Sequence, residues 1–322
     1  MPEILVLDGD TLNGIVDIPE FVDVIEACFR KYSRGEADIP QRTVMTVAGN
    51  WWGFMPGYVK GSGVAIKIVS VIPANRERGL PTIPGVVILF DEETGMPLSI
   101  MDGAVVTGLR TAAASMISVK YLKPGESGVV VFLGGGYQAR YHLRFITHFF
   151  RPEKVLVYDI RREAAEGFVR YAAGLDLDAY IADSLSDALA NGDIIIEAST
   201  TESPVVLGSH LKRDVHVVSI GAHTPESRAL DDEVFMIASL VVVDSKEATS
   251  RESGDIRDAI SNSLITSDAI LELGELGDRV ASGRPGGVTI YKSVGLALQD
   301  VCAARYLYNK ATEKGVGSRV RI

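Results

Sequence analysis

Apolar residues in the first third of the chain follow both helical and strand-like spacing. Over residues 19–32 they recur every three or four positions, which predicts an amphipathic helix. Two short apolar runs, 64–72 and 86–90, predict strands, and the turn residues between them predict a loop. A second helix is predicted over 107–122, where small residues permit close packing. We therefore expect a mixed α/β region here.

The pattern changes after Lys123-Pro124-Gly125. Short apolar strands now alternate with helical or polar segments, which is typical of a parallel sheet covered on both faces. The predicted strands are 129–133, 155–158, 194–197, 215–220 and 240–243, with helices at 137–150 and 162–173. The sequence thus predicts a doubly wound α/β domain over about 123–290, followed by an amphipathic helix over 294–309.

Length and charge refine this picture. A chain of 322 residues favours two domains, and the alternating pattern places one of them at 123–290. The net charge of -10 disfavours nucleic acid and anionic membrane surfaces as partners. The N-terminus lacks a signal-peptide pattern and no apolar run is long enough to cross a bilayer, so a cytoplasmic protein is expected.

The cysteine content supports the same location. Cys28 and Cys302 are the only cysteines of the chain and lie far apart in the sequence. Two isolated cysteines predict neither a disulfide framework nor a metal site, and they suit a reducing compartment.

A glycine-rich motif follows the strand predicted at 129–133. Gly134-Gly135-Gly136-Tyr137-Gln138-Ala139 fits the G-x-G-x-x-A pattern and opens a helix, the context that dinucleotide binding requires. Gly134 permits the tight turn, Gly136 lets a diphosphate approach the backbone, and Ala139 allows close helix–strand packing. The diphosphate would lie on the N–H groups of the helix N-terminus, to which Tyr137 and Gln138 belong.

A carboxylate at the end of the next strand bears on the choice of cofactor. Asp159 would accept the adenosine ribose hydroxyls and repel a 2′-phosphate, which favours NAD. Arg161 and Arg162 lie close enough to pair with that phosphate, so NADP stays open as an alternative.

Two cationic residues occupy unusual positions in the first region. Lys67 interrupts an apolar strand, and burial would lower its pKa towards the range useful for proton transfer. The alternative is a solvent-facing residue on an edge strand. Arg110 is predicted in the first turn of the 107–122 helix, where it would form a carboxylate site with the helix N-terminus or else a structural salt bridge. Arg42 follows Pro40 in a loop and, taken alone, is interpreted as a surface residue.

His223 follows the strand predicted at 215–220. The carboxyl ends of parallel strands are where open α/β sheets place ligands, and a histidine there can exchange a proton near neutral pH. A loop histidine with no role is the alternative.

Taken together, these segments resemble the ornithine cyclodeaminase/mu-crystallin family over nearly the whole chain. The matching segments are Phe54-Met55-Pro56, Ala65-Ile66-Lys67, Gly79-Leu80-Pro81-Thr82, Leu109-Arg110-Thr111-Ala112-Ala113, the glycine motif, Ile220-Gly221-Ala222, Ala229-Leu230-Asp231 and Ser293-Val294-Gly295-Leu296-Ala297. The resemblance implies hydride transfer between a nicotinamide and the α-carbon of an amino or imino acid. It also implies a homodimer joined through the first domain, whose core includes the C-terminal helix, so that this domain comprises 1–122 with 291–322.

The resemblance further implies roles for single residues. Arg42, Lys67 and Arg110 would bind the substrate carboxylate, with Lys67 as a candidate acid or base. Thr111 would lie at the cofactor. The strand ends that would border the nicotinamide carry Ser199, Thr200, Ile220, Gly221 and Ser293.

Two departures narrow the substrate. Ornithine cyclodeaminases carry a glutamate where this chain has Gly53 and an aspartate base where it has His223, so a diamino substrate is disfavoured. The expected activity is reduction of a 2-imino acid, for example the cyclic ketimine Δ1-pyrroline-2-carboxylate, with NAD(P)H, Lys67 or His223 supplying the proton. The alternatives are alanine dehydrogenase, ornithine cyclodeaminase, or a mu-crystallin-like binding protein without turnover. No metal is expected.

Overall fold

The structure is a computed structural model that describes residues 3–123 and 127–321. The chain divides into two compact units, Met1–Ala114 with Leu296–Ile322 and Ser115–Gly295. Pro124 and Gly125, where the sequence pattern changes, lie outside the described residues.

The elements before residue 124 are a mixture of strands and helices. They are β1 (Glu3–Leu7), α1 (Gly9–Ile15), α2 (Ile18–Ser33), β2 (Ala37–Asp38), β3 (Thr43–Val47), β4 (Asn50–Val59), β5 (Gly63–Val71), β6 (Gly85–Phe90), β7 (Pro97–Asp102) and α3 (Gly103–Leu122). A 3-10 helix, Pro73–Arg78, occupies part of the segment predicted as a loop between β5 and β6.

Strands and helices alternate more regularly in the rest of the chain. The elements are β8 (Ser127–Leu133), α4 (Tyr137–Ile146), β9 (Arg151–Tyr158), α5 (Arg162–Ala173), β10 (Ala179–Ile181), α6 (Leu185–Asn191), β11 (Ile194–Glu197), β12 (Val215–Ser219), α7 (Asp232–Ile237), β13 (Ala238–Val243), α8 (Lys246–Glu252), α9 (Gly254–Ser261), β14 (Ile270–Glu272), α10 (Leu276–Ala281), β15 (Val288–Lys292), α11 (Ala297–Lys314) and β16 (Ser318–Arg321).

The first unit contains a mixed sheet. Its strand order is β16-β1-β7-β6-β5-β4-β2, with β3 paired to β4. The β1–β7 pair is parallel, whereas β4, β5, β6 and β7 pair antiparallel in sequence order. Helix α11 packs on β4 and β5 and also against α2. A helix from the end of the chain therefore completes the core of the first unit.

The prediction of two isolated cysteines is wrong. Cys28 of α2 and Cys302 of α11 form a disulfide across 274 positions of sequence. Both residues are buried, 4% and 1% exposed. The contact arises because α2 and α11 pack together in the first unit, and sequence separation gives no sign of that packing.

Helix α3 starts four residues earlier than predicted. The Asp102 carboxylate accepts hydrogen bonds from the backbone N–H groups of Ala104 and Val105, 2.8 and 3.0 Å long, and so caps the helix before Gly103. Arg110 consequently lies about two turns inside α3. The prediction that Arg110 stands in the first turn, beside the free N–H groups, is wrong.

The second unit confirms the predicted doubly wound domain. Its sheet order is β10-β9-β8-β11-β12-β15-β13-β14, and the strand pairs within it are parallel. The strand order reverses between β8 and β11, where dinucleotide-binding folds place their ligand. The mixed α/β first unit and the Rossmann second unit confirm the predicted fold class.

Two helix boundaries differ from the predictions. Helix α4 ends at Ile146 rather than near residue 150, and α11 begins at Ala297 and continues to Lys314. Among residues 3–123 and 127–321, none of the helices combines the length and the apolar character needed to cross a membrane.

Candidate active site

Lys67 lies in the middle of the first sheet. It belongs to β5, which is flanked by β4 and β6, and it pairs with Met55 and Val87. The residue is 2% exposed. Its Nζ is 3.0 Å from Asp300 Oδ1 and 2.9 Å from Oδ2. Lys67 is therefore a buried, ion-paired lysine and not a solvent-facing residue on an edge strand.

Arg110 joins the same carboxylate from a different element. Its Nε lies 3.3 Å from Asp300 Oδ1, and its Nη1 donates to Gln299 Oε1 at 2.7 Å. Arg110 is 6% exposed and Asp300 is 1% exposed. Asp300 stands in the first turn of α11, where the helix dipole favours a negative charge. We call Lys67, Arg110, Gln299 and Asp300 the cation cluster.

The cation cluster has more positive than negative charge. Two cationic side chains share one carboxylate. Burial, reinforced by the charge of Arg110, lowers the pKa of Lys67 to about 7, while Asp300 opposes this shift and Arg42 adds to it. Lys67 can thus exchange a proton near neutral pH, and the cluster favours a bound anion.

Gln299 and Asp300 were not predicted from the sequence. A signal was present, because these two polar residues interrupt an apolar run in Leu296-Ala297-Leu298-Gln299-Asp300-Val301. Asp300 contacts Lys67 across 233 positions of sequence and Gln299 contacts Arg110 across 189, which spacing alone does not reveal.

Arg42 and Thr111 lie in the same unit as the cation cluster. Arg42 directly precedes β3, is partly exposed, and is close enough for its charge to lower the pKa of Lys67. Thr111 follows Arg110 in α3, is 7% exposed, and donates from Oγ1 to the carbonyl of Thr107 at 2.7 Å.

The glycine motif forms the turn from β8 into α4. Gly134 has φ +94°, and a Cβ there would lie 2.9 Å from the carbonyl oxygen of Ala198, so this position requires glycine. Gly136 is the N-cap of α4 and provides no capping side chain, and a Cβ added to it would meet nothing within 4 Å. Ala139 is fully buried, Tyr137 is 50% exposed and Gln138 lies partly buried beside it. The turn therefore leaves open space at the N-terminus of α4.

Asp159 lies at the end of β9 beside this turn. Its Oδ2 accepts from the backbone N–H of Gly135 at 3.0 Å, and its Oδ1 accepts from the N–H of Arg161 at 2.8 Å. The Arg161 guanidinium Nε is 3.6 Å from the same Oδ1. The carboxylate is fixed where the sequence predicts the adenosine ribose, and Arg161 is held against it.

A buried carboxylate organises two further strand ends. Glu197, the last residue of β11, accepts from Ser199 N and Oγ through Oε1, and from Ser219 Oγ and Gly221 N through Oε2. Ser199 and Gly221 are thus fixed through one side chain. Thr200 is exposed and Ile220 is partly buried in these segments. Sequence reasoning missed Glu197 because it ends an otherwise apolar strand.

Ser293 is held by a different buried acid. Its Oγ donates to Asp244 Oδ2 at 2.7 Å, and the same oxygen accepts from the N–H groups of Val294 and Gly295. Burial is the main influence on Asp244 and raises its pKa, while these hydrogen bonds oppose that rise.

His223 is exposed in the loop after β12. Its Nδ1 donates to the carbonyl of Gly221 at 2.9 Å. The carbonyl of the adjacent Ala222 accepts from the buried Lys292 Nζ at 2.6 Å, and this hydrogen bond fixes the loop to the end of β15. Lys67, Arg110 and Asp300 are brought together in the first unit, whereas the glycine motif, Asp159 and His223 belong to the second.

Comparisons with known proteins place these features in context. Residues 9–315 match the model of the ornithine cyclodeaminase/mu-crystallin family. An alanine dehydrogenase of Archaeoglobus fulgidus is 32% identical over 99% of this chain and 98% of its own length. The ketimine reductase mu-crystallin of Rattus norvegicus is 34% identical over 88% of this chain and 90% of its own.

A solved structure shows the same similarity. The Δ1-pyrroline-2-carboxylate reductase of Thermococcus litoralis, determined in complex with NADH and L-proline, is 35% identical, with a TM-score of 0.92. The alignment covers 98% of this chain and 100% of that one. Sequence and fold therefore match along essentially the full length.

Proposed function

Because this chain belongs to the ornithine cyclodeaminase/mu-crystallin family, we propose that it is an NADH-dependent reductase of 2-imino acids. The observation that carries the proposal is the cation cluster, in which Lys67 and Arg110 share the single carboxylate of Asp300. The relatives, which match over 88–99% of this chain, bear the names of imine reductases and an amino-acid dehydrogenase.

The substrate carboxylate would bind at the cation cluster. Two buried cations with one carboxylate leave a net positive charge, and an anion at Lys67 and Arg110 would balance it. Gln299 and Asp300 fix the guanidinium of Arg110, so little orientational freedom is lost on binding. Arg42 would add a third cation from the segment before β3.

Lys67 would donate the proton to the imine nitrogen. Its pKa of about 7 lies near the operating pH, where general acids are effective. A substrate carboxylate bound beside Lys67 favours the charged form of the lysine, so substrate binding itself causes Lys67 to take up the proton. The N–H bond of Lys67 breaks as the amine N–H bond forms. His223 is the second candidate donor, because its loop stands at the carboxyl end of β12.

The second unit fits a dinucleotide. The open space at Gly136 and the uncapped N-terminus of α4 would receive the diphosphate, and Asp159 would accept the ribose hydroxyls. When bound, NADH supplies the hydride that the α-carbon of the imine receives. Thr111, Ser199, Thr200, Ile220, Gly221 and Ser293 are proposed to border the nicotinamide half. NAD is the proposed cofactor and NADP the alternative, because Arg161 lies beside Asp159.

Reversible deamination of alanine is the second candidate. The same cation cluster would bind pyruvate, with ammonia in place of the ring nitrogen. The alanine dehydrogenase of Archaeoglobus fulgidus, which matches over nearly the full length, favours keeping this candidate.

A homodimer and a cytoplasmic location belong to the same proposal. Within residues 3–123 and 127–321, strand β3 pairs only with β4, and it exposes Val44, Met45 and Val47, each nearly half accessible, which suits a contact with a second copy. The Cys28–Cys302 disulfide removes the argument for a reducing compartment that two unpaired cysteines would have given, because disulfides are rare in such compartments.

A substrate panel tests the proposed function. NADH oxidation would be followed by absorbance with Δ1-pyrroline-2-carboxylate and with pyruvate plus ammonium, and the products identified by mass. We expect L-proline from the first. Arg110→Ala should raise KM for the imino acid by roughly 30-fold or more while NADH affinity stays nearly unchanged, because a charge-assisted contact worth about 2–5 kcal/mol is lost. A wild-type protein that binds NADH but reduces neither substrate would instead be a binding protein.

A further inference from the structure

Trp51 and Trp52 point to opposite faces of β4. Side chains alternate along a strand, so Trp51, Gly53 and Met55 share one face and Trp52 lies on the other. Met55 pairs with Lys67, Gly53 with Val69, and Trp51 with Val71. The indole of Trp51 is therefore on the sheet face that bears Lys67.

The indole of Trp51 folds back over Gly53. A Cβ added to Gly53 would collide with the six-membered ring of the indole, at 2.8 Å from Cζ3 and 2.9 Å from Cζ2. The indole can therefore take this position only because residue 53 has no side chain. Trp51 stays partly exposed, so its ring is not simply core packing.

The backbone spacing along β4 between Gly53 and Met55, the partner of Lys67, suits a small substrate. A strand rises about 3.3 Å per residue, so Gly53 lies about 7 Å along β4 from Met55, the partner of Lys67. That distance is close to the length of a five- or six-membered ring acid from carboxylate to distal carbon. The partly buried Val69, paired with Gly53, adds apolar surface on the same face.

We infer that Trp51 is a specificity-determining residue that receives the carbon skeleton of the substrate while the cation cluster holds the carboxylate. The inference rests on the proposed function and names its substrate class, a cyclic 2-imino acid. A small apolar ring, cationic when its imine is protonated, gains both apolar burial and cation–π attraction from an indole face. Pyruvate has only a methyl group to place there.

The experiment compares Trp51→Ala with its matched control, Trp52→Ala, from the opposite face of the same strand. Values of kcat/KM would be measured for Δ1-pyrroline-2-carboxylate, Δ1-piperideine-2-carboxylate and pyruvate plus ammonium, together with the Kd of NADH. We expect Trp51→Ala to lower kcat/KM by roughly 10- to 100-fold for both cyclic substrates, the range for apolar pocket contacts. The pyruvate reaction and NADH binding should change less than about threefold, and Trp52→Ala should leave the substrate ratio unaltered.

Other outcomes overturn the inference. One is an equal loss of kcat/KM for all three substrates in Trp51→Ala. Another is the same change in the ratio of cyclic to pyruvate activity in Trp52→Ala, and the third is a wild type that prefers pyruvate plus ammonium. If Trp51→Ala does not fold, Trp51→Phe, which keeps a smaller ring, should retain most of the cyclic preference, and a lost preference contradicts the role. A wild type inactive with all three substrates refutes the proposed function, which distinguishes that failure from a failure at Trp51.

Discussion

The two units each bury a lysine against an aspartate, and the two pairs differ in their balance of charge. In the second unit, Lys292 Nζ contacts Asp255 Oδ2 at 2.8 Å, Ser219 Oγ at 3.0 Å and the Ala222 carbonyl at 2.6 Å. The contacts with Ser219 and Ala222 are hydrogen bonds, and the contact with Asp255 is an ion pair. In the first unit, the contacts found for Lys67 Nζ within the described residues are the two oxygens of Asp300, which also faces Arg110.

This difference separates a structural lysine from a candidate catalytic one. In the Lys292 pair one positive charge faces one negative charge, and Asp255 Oδ1 also accepts from the N–H groups of Ala229 and Leu230. It fixes the loops at the carboxyl edge of the second sheet. The cation cluster is left with excess positive charge, which an incoming carboxylate would neutralise. Burial alone does not mark a functional lysine, but burial with an unbalanced charge does.

The largest expected effect is on catalysis by Lys67. Lys67→Met keeps much of the volume but removes the proton and the charge. We expect kcat for the imino acid to fall by roughly 10²–10⁴-fold, the range for general acid–base catalysis, with NADH still bound. His223→Ala should lower kcat clearly less, because that imidazole lies on an exposed loop. The reverse ranking, in folded proteins that bind NADH, would assign the proton to His223.

Stability should depend more on Lys292 than on Lys67. Lys292→Met leaves the buried Asp255 without its cation and should lower the free energy of unfolding by about 3–5 kcal/mol. Lys67→Met leaves Asp300 paired with Arg110 and should lower the free energy of unfolding by less than about 2 kcal/mol. Urea denaturation of both variants measures the difference. Equal losses would remove the distinction between the two lysines.

The second unit also contains two buried neutral histidines. His142 Nε2 lies 2.8 Å from Ser115 Oγ, and His216 Nε2 lies 2.9 Å from Ser118 Oγ. Burial lowers their pKa values to about 4 and about 3, with the charge of Lys123 adding to the effect at His216.

Because these folded-state pKa values lie below the unfolded value, the unfolded chain binds protons first as the pH falls. Stability should be complete above about pH 6.5 and decrease below it, by about 2 kcal/mol per histidine at about pH 5. Urea midpoints across this range test the expectation, with His142→Gln as a variant that should flatten the slope. A midpoint independent of pH would show that the histidines take up protons without unfolding.

A smaller effect is expected at the cofactor. The wild type should bind NADH more tightly than NADPH, because the Asp159 carboxylate would face the 2′-phosphate. Asp159→Asn keeps the side-chain shape and should raise NADPH affinity by roughly tenfold, since Arg161 would then be free of its carboxylate partner. Fluorescence titration measures both. Equal affinities in the wild type would mean that Arg161 already overrides Asp159.

The sequence was informative where the signal is local. Continuous apolar strands and the glycine turn predict the second unit, because its central strands are buried on both faces and the turn requires glycine at Gly134. Lys67 was identified because a charge inside an apolar strand is costly. Strand β3 was missed because its residues are exposed throughout and carry no burial pattern. Asp300 and the Cys28–Cys302 disulfide depend on α11 returning to the first unit, which no local pattern encodes.

The central claim is that the cation cluster binds a carboxylate and that Lys67 takes up a proton as it does so. Pyrrole-2-carboxylate is a planar ring acid whose nitrogen does not titrate near neutral pH, and its binding can be measured by calorimetry in buffers of different ionisation enthalpy. With a Lys67 pKa of about 7 in the free protein, a bound carboxylate that raises it by about two units should cause uptake of roughly 0.8 proton at about pH 8. Lys67→Met should bind with almost no uptake. Binding by the wild type without proton uptake, or with the same uptake in Lys67→Met, would contradict the account.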